Sequence, residues 1–243
     1  MAQADTLVFI PAWNEEENLP AVLDELETSL PDVDVLVVDD GSTDATADVA
    51  RAHGAQVLSF EENRGLREGI AAGYRFAHEH AYRYAGRVDA DGQHPVDELG
   101  RLLARVRNDE CDVAVGSRFA TGDGYEADRY EPSNSRRFGI AVLQRALRPV
   151  LGRHFHDATS GMYAVSARAM PILAEPYESA APEVESLLRL QQAGLRVSEI
   201  PVHMRERAGG ESKLRGRKSV QLVLTVAGTL LLYGLWRRHR GAR

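Results

Sequence analysis

The chain has one cysteine in 243 residues, Cys111, so no disulfide can form within it. Set in the apolar stretch "CDVAVG", that thiol reads as a small buried hydrophobe, and a reducing compartment fits it. The first residues, "MAQADTLVFIPAWNEEEN", have no basic region, and their apolar run is too short for a signal peptide. The catalytic part is therefore expected in the cytoplasm. Internal repeats, low-complexity runs and an interdomain linker are also missing. So is any module of stacking aromatics, which together with an acidic body argues against nucleic acid as a partner.

What is present suffices for one large α/β domain with a full core, since 44% of the residues are hydrophobic. The net charge of −7 is unevenly spread. Residues 203–243 carry 10 Lys and Arg against 2 Asp and Glu, leaving 19 against 34 in residues 1–202. The basic tail contains the apolar run "SVQLVLTVAGTLLLYGLW", Ser219 to Trp236, with cations on both sides. As a helix it would be about 27 Å long at ~1.5 Å per residue, against a hydrocarbon core of roughly 30 Å. Two readings stay open: a short membrane anchor or in-plane helix, and a helix packed in the core or an oligomer interface. Residues 1–217 are read as a catalytic domain and 218–243 as this helix and basic tail.

The order of elements predicts a mostly parallel sheet flanked by helices, an α/β fold. Apolar "TLVFIP" (6–11) is followed by an amphipathic stretch from about Asn18 to Ser29 and by "VDVLVVDD" (33–40). Next come a helix opened by Ser42 or Thr43, the strand "AQVLSF", a helix from about Leu66 to His80 and a strand ending in "RVDAD". "HPVDELGRLLARV" starts a helix near Pro95, and "CDVAVGS" is a strand opening a polar loop from Arg118 to about Ser135. A helix near 136–151, the element "SGMYAVSARA", the helix "PEVESLLRLQQAG" and the strand "RVSEIPVHM" complete the order. In such a sheet ligands bind at the carboxyl ends of the strands.

Two acidic motifs stand at predicted strand ends. In "VVDDGSTD", Asp39 and Asp40 suit hydrogen bonding to a base and ribose, or Asp40 and Asp44 are only turn and cap residues. In "DADGQH", the spacing of Asp89 and Asp91 puts both carboxylates on one side of a strand end. Mg²⁺ or Mn²⁺ prefers such oxygen ligands, with Gln93 adding a carbonyl. Taken alone, a solvated acidic turn reads equally well. In "RERAGGESK" two glycines permit close approach to an anion, Arg207 offers a two-pronged donor and Lys213 a point charge. A merely exposed basic loop near a membrane is its plainer reading. His154 and His156 in "RHFHD" lack an evident third ligand and read as ordinary histidines.

The words "PAWNEEENLP", "DDGSTDAT", "NRGLREGIAAG", "DADGQHP", "VGSRF", "DATSGMYAVS", "EVESLLRLQQAG" and "RAGGESKL" occur in this order. Together they resemble the family 2 glycosyltransferases of the GT-A, Rossmann-like fold. More narrowly, they resemble the dolichol-phosphate mannosyltransferase and polyprenyl-phosphate glycosyltransferase branch, over residues 5 to about 215.

The resemblance implies roles for matching positions. Pro11, Trp13, Asn14 and Glu15 would line the nucleotide pocket, with Asp39 or Asp40 reaching the base or ribose. Asp89 and Asp91 match the family's Asp-Xaa-Asp element. Asp91 with Gln93, joined by Asp89, would hold Mg²⁺ or Mn²⁺ against the diphosphate. Arg118, Arg207 and Lys213 would supply cations, and Glu185 matches an acidic residue near the acceptor that serves as base or as a solvated helix carboxylate. Asp157, Ser160 and Gly161 match an element near the sugar. Arg118, Arg136, Arg137 and Ser212 are the candidates for the acceptor phosphate. Here the chain departs from the family, because no serine follows Arg136 and Arg137 at Ile140 or Ala141.

The implied activity is inverting transfer of a hexose from a GDP-mannose or UDP-glucose type of donor to a polyprenyl phosphate. It would take place at the cytoplasmic face of a membrane. Two other readings remain: the same donor class with a soluble glycan or small-molecule acceptor, and a silent nucleotide-sugar-binding subunit.

Overall fold

The computed structural model describes residues 4–122, 144, 145, 148, 155–179 and 181–205. Within them lies one seven-stranded sheet with the order β3-β2-β1-β4-β6-β5-β7. The strands are β1 (Thr6–Ala12), β2 (Asp34–Asp39), β3 (Gln56–Ser59), β4 (Tyr84–Arg87), β5 (Val113–Ser117), β6 (Tyr163–Ser166) and β7 (Val197–Pro201). The helices are α1 (Leu19–Ser29), α2 (Thr46–Ala52), α3 (Leu66–Glu79), α4 (Val96–Arg107), α5 (Met170–Leu173) and α6 (Pro182–Gln192). The expected α/β order is therefore present. Most of the predicted helix near 136–151, most of the polar loop, Arg136, Arg137, His154, Arg207, Ser212, Lys213 and the apolar run 219–236 lie outside the described residues.

Alternation along β1 divides the core. Leu7 and Phe9 face one side, with Leu36, Val38, Ile70, Tyr74 and Leu187. Val8 and Ile10 face the other, with Leu19, Leu26, Val37, Leu99 and Leu102. Every residue of β1 is buried, as a central parallel strand covered on both faces requires. Phe9 meets Tyr74 edge-on, ring centroids 4.8 Å apart. Gly73 lets α3 approach this closely, since a Cβ there would lie 2.2 Å from the Phe9 ring.

One strand runs against the rest. β6 pairs antiparallel with both β4 and β5, while the other pairs are parallel. Its direction matters for position: the segment entering β6 lies beside the carboxyl ends of β4 and β5. Residues 157–162 thereby join the edge where β4 and β5 release their loops.

Two boundaries differ from the sequence reading. β4 stops at Arg87, opposite Phe9, so Asp89 and Asp91 sit in the following loop, which turns at Gly92 with φ of 72°. The helix expected to open at Ser42 or Thr43 starts at Thr46 without a side-chain cap bond. Those hydroxyl residues serve a neighbouring loop instead, as described next.

Candidate active site

The loops after β1 and β2 are sewn together. Asn14 adopts a positive φ of 54°, which an asparagine tolerates. Its N–H donates to Ser42 Oγ at 3.0 Å, and its Oδ1 accepts the Thr43 N–H at 2.9 Å. Glu15 N–H donates to Thr46 Oγ1 at 2.9 Å, and Glu16 Oε2 accepts the Ala45 N–H at 2.8 Å. Pro11 is buried in β1, whereas Trp13 is exposed beside this seam.

Asp39 and Asp40 are almost fully buried at the end of β2. Asp39 Oδ1 accepts the Ser42 N–H at 3.0 Å. Asp40 takes the N–H groups of Arg64 and Gly65 at 2.7 and 2.8 Å, one on each oxygen. Its carboxylate thus ties the entrance of α3 to the end of β2. Gly41, at φ 67°, makes the tie possible, because a Cβ there would lie 2.4 Å from the Glu62 backbone.

Around the β4 loop, four charged groups converge on one histidine. The Nδ1 of buried His94 accepts the Asp89 N–H at 3.0 Å, which places the ring proton on Nε2, 3.7 Å from Asp89 Oδ2. Burial lowers its pKa and favours the neutral ring; Arg87 and Arg118 act the same way, while Asp89 and Asp91 oppose it. Asp91 Oδ1 accepts the Gln93 N–H at 3.1 Å. Gly161 packs on the same group, where a Cβ would meet Asp89 Oδ2 at 3.0 Å and Arg87 at 3.2 Å. His94 has no apolar or catalytic signature in sequence, and its role emerges only from this contact.

Arg118, at the end of β5, is clamped by Asp157. Its Nε and Nη2 reach the two Asp157 oxygens at 2.7 and 2.9 Å, and Nη2 also lies 3.2 Å from Thr159 Oγ1. Glu199 of β7 holds the other side of Asp157. The Glu199 carboxylate accepts the Asp157 N–H at 2.6 Å and the His156 N–H at 2.8 Å. His156 is therefore a partner of Glu199 at 2.9 Å, in keeping with an ordinary histidine. Sequence spacing gave no sign of Glu199, which sits forty-two residues from Asp157.

The start of the basic segment meets the acidic loop. Arg205 N–H donates to the Gln93 carbonyl at 2.9 Å, and Gln93 Nε2 approaches the Arg205 carbonyl at 3.4 Å. The Arg205 guanidinium itself pairs with Glu25 at 2.6 and 3.0 Å.

Glu185 is the one described candidate that stands apart. Its carboxylate is buried and accepts the N–H groups of Ser179 at 2.7 Å and Glu178 at 3.3 Å, with Arg189 against it. These donors occupy it as a brace for the turn into α6, so it is not the solvated helix carboxylate of the plainer reading. The helix turns about 200° over two residues, so Glu183 points the other way. Glu183 reaches Arg87 at 3.3 Å, and Arg87 reaches Asp89 at 3.4 Å. Burial raises the Glu183 pKa against the opposing charge of Arg87.

The loop after β4 thus carries the Asp89 and Asp91 carboxylates, Asp157 fixes the Arg118 guanidinium, and Arg205 lies against Gln93. Among the described residues no three His, Cys, Asp or Glu side chains gather around a common point. A divalent ion at Asp89, Asp91 and Gln93 would thus draw its remaining ligands from phosphate and water, as Mg²⁺ commonly does.

Residues 7–170 match the family model described as Glycosyl transferase family 2. The chain is 34% identical to the undecaprenyl-phosphate mannosyltransferase of Micrococcus luteus, over 98% of this chain and 97% of that protein. It is 31% identical to the polyprenol monophosphomannose synthase of Mycolicibacterium smegmatis, over 91% and 85%. In fold it is similar to glucosyl-3-phosphoglycerate synthase from Mycobacterium tuberculosis, solved with Mn²⁺, UDP-glucose and phosphoglyceric acid. That match has a TM-score of 0.67 at 21% identity and covers 94% of this chain and 80% of that one.

Proposed function

The chain belongs to glycosyl transferase family 2, and from that premise we propose that it moves a hexose from a nucleoside diphosphate sugar to a polyprenyl phosphate, with inversion at the anomeric carbon. The observation that carries this reading is the meeting of the Asp89–Gln93 loop, the clamped Arg118 and the chain entering at Arg205 at one edge of the sheet. Its likeness to two polyprenyl-phosphate mannosyltransferases over most of their length supplies the acceptor class. Those relatives favour a mannosyl donor over a glucosyl one.

The sewn loops of Asn14 to Glu16 and Ser42 to Thr46 form a rigid wall for the nucleotide, with Asp39 at the base or ribose. Asp89 and Asp91, with Gln93, would hold Mg²⁺ or Mn²⁺. When bound, that ion offsets the charge of the diphosphate and stabilises it as leaving group. The fold neighbour binds Mn²⁺, and the acidic donors here suit the same hard ions.

A phosphate acceptor is already ionised at neutral pH, so no strong general base is needed. Its oxygen attacks the anomeric carbon from the face opposite the diphosphate. Positioning and electrostatics then carry the reaction. Arg118, fixed by Asp157, presents a stationary cation to the reacting groups. Arg207 and Lys213 follow Arg205 in the chain and would reach the phosphates, while Arg136, Arg137 and Ser212 are assigned to the acceptor. The tail 218–243 would hold this edge at the cytoplasmic face of a membrane.

The test is to incubate the protein with Mg²⁺, a panel of GDP- and UDP-sugars, and either a short-chain polyprenyl phosphate or no acceptor. Nucleotide release and product mass are followed. Release that depends on the lipid, with one donor, is the expected result. Release only with a soluble phosphate or glycan acceptor would overturn the lipid assignment, and release from no donor would overturn the transferase reading.

A further inference from the structure

We propose that Glu183 is a positioning residue for Asp89, acting through the buried guanidinium of Arg87 to keep the Asp89 carboxylate available to a cation. This rests on the metal reading above and concerns the first residue of "EVESLLRLQQAG", to which the sequence reading gave no role.

The geometry is a shared rather than a closed ion pair. Arg87 is 3% exposed, and a single nitrogen, Nη2, stands 3.4 Å from Asp89 Oδ1 and 3.3 Å from Glu183 Oε1. Both distances exceed the ~2.7–2.9 Å of a charge-assisted bond. Arg118 shows what a closed fork looks like in the same site, with Asp157 at 2.7 and 2.9 Å. Arg87 also keeps a buried Nε without a hydrogen-bond partner among the described residues. Two carboxylates therefore balance the cation, and neither captures it.

Balance has a chemical consequence. A guanidinium stays charged in proteins, so buried Arg87 needs counter-charge, and Asp89 and Glu183 are the carboxylates near its Nη2. Tyr74 and Tyr163 beside it are pushed far up by burial and stay neutral, so they supply no counter-charge. Without the Glu183 charge, Arg87 has one carboxylate left to neutralise it in a dry setting, and the pair closes on Asp89. A divalent ion must then compete with a committed carboxylate. Gly161 leaves the room for this closure, because no side chain there separates Arg87 from Asp89.

The experiment measures Mn²⁺ binding by the full chain in the presence of GDP or UDP, reading free Mn²⁺ by electron paramagnetic resonance. Glu183→Gln keeps the size and removes the charge. It is expected to weaken Mn²⁺ binding by about tenfold, in the range for residues that orient a metal ligand. The double variant Arg87→Met, Glu183→Leu removes both the rival and its counterweight, and should restore binding to near the wild-type value. Unchanged affinity in Glu183→Gln overturns the inference, as does a double variant as weak as the single one. Wild-type uptake that is lost in Asp91→Ala but unaltered in Glu183→Gln rejects this inference alone. No uptake by the wild type with either nucleotide rejects the metal reading and the inference with it.

Discussion

Ser179 donates its backbone N–H to the buried carboxylate of Glu185 at 2.7 Å, which ties α6 to the turn before it. Glu185 braces the turn that precedes the helix. Glu183, on the opposite face, reaches the charged cluster. Glu185→Ala is expected to cost about 3 kcal/mol of stability, because Ser179 N–H and Arg189 lose a buried charged partner. Urea unfolding measures this. In Glu185→Gln the folded enzyme should keep its turnover; a loss of about 10²-fold or more, typical of a missing general base, would restore Glu185 to the chemistry.

Asp91 is predicted to be indispensable to turnover and dispensable to folding. Its carboxylate is partly exposed at the turn after β4 and accepts the Gln93 N–H. Asp91→Ala should abolish transfer with an unchanged melting temperature. Chelator should stop the wild type, and Mg²⁺ or Mn²⁺ should restore it. Full turnover in excess chelator would show that no metal is used.

Glu199 is predicted to act at a distance on Arg118. Its oxygens hold the backbone of His156 and Asp157, and Asp157 holds both nitrogens of the Arg118 fork. Glu199→Ala releases that loop, and displacement of Arg118 by an ångström can lower kcat by roughly 10²-fold. Steady-state kinetics should show the loss in kcat more than in donor KM. Arg118→Lys, which keeps the charge but not the fork, should fall in the same direction. Kinetics of Glu199→Ala equal to wild type would break the proposed chain of support.

Asp112 is predicted to contribute an acid-sensitive part of the stability. Burial opposes its charge, but the Arg196 N–H at 2.8 Å and the Arg196 and Arg168 side chains outweigh burial and lower its pKa. The unfolded chain then binds more protons than the native one as pH falls. The contribution is complete above the unfolded value, about 4, and is lost as pH drops through the folded value. Unfolding free energies of wild type and Asp112→Asn should differ at about pH 6, and the gap should shrink as pH falls below the unfolded value of about 4 and through the lowered folded one. A gap independent of pH would contradict this linkage.

Gly73→Ala tests the packing of α3 on β1. A Cβ placed 2.2 Å from the Phe9 ring must displace a fully buried aromatic. Overpacking of this kind costs about 1–3 kcal/mol. Denaturant unfolding should report that loss, whereas a gain, as expected for an unstrained Gly-to-Ala change in a helix, would mean the helix moves freely on the sheet.

Local pattern explains which parts were legible in sequence. Apolar runs of strand length and amphipathic runs of helix length report burial directly, so β1, β2, α3 and α4 fall close to where periodicity puts them. The order of short acidic and glycine-rich words carried the family. Helix caps were less legible, because Ser42 and Thr43 satisfy any available donor or acceptor. Here the partners are Asn14 and its loop, twenty-eight or more residues away.

The sequence by itself determined the α/β order, the covered central strands and the Asp-Xaa-Asp word near the end of β4, since each depends on residues near one another in the chain. Only the tertiary structure decided which charges act together. The antiparallel insertion of β6 between β4 and β5 brings Asp157 to Arg118 and Gly161 to Asp89. The packing of α6 on that face chooses Glu183 for Arg87 and leaves Glu185 with Ser179. Ion pairing depends on distance and burial, and neither is a property of spacing along the chain.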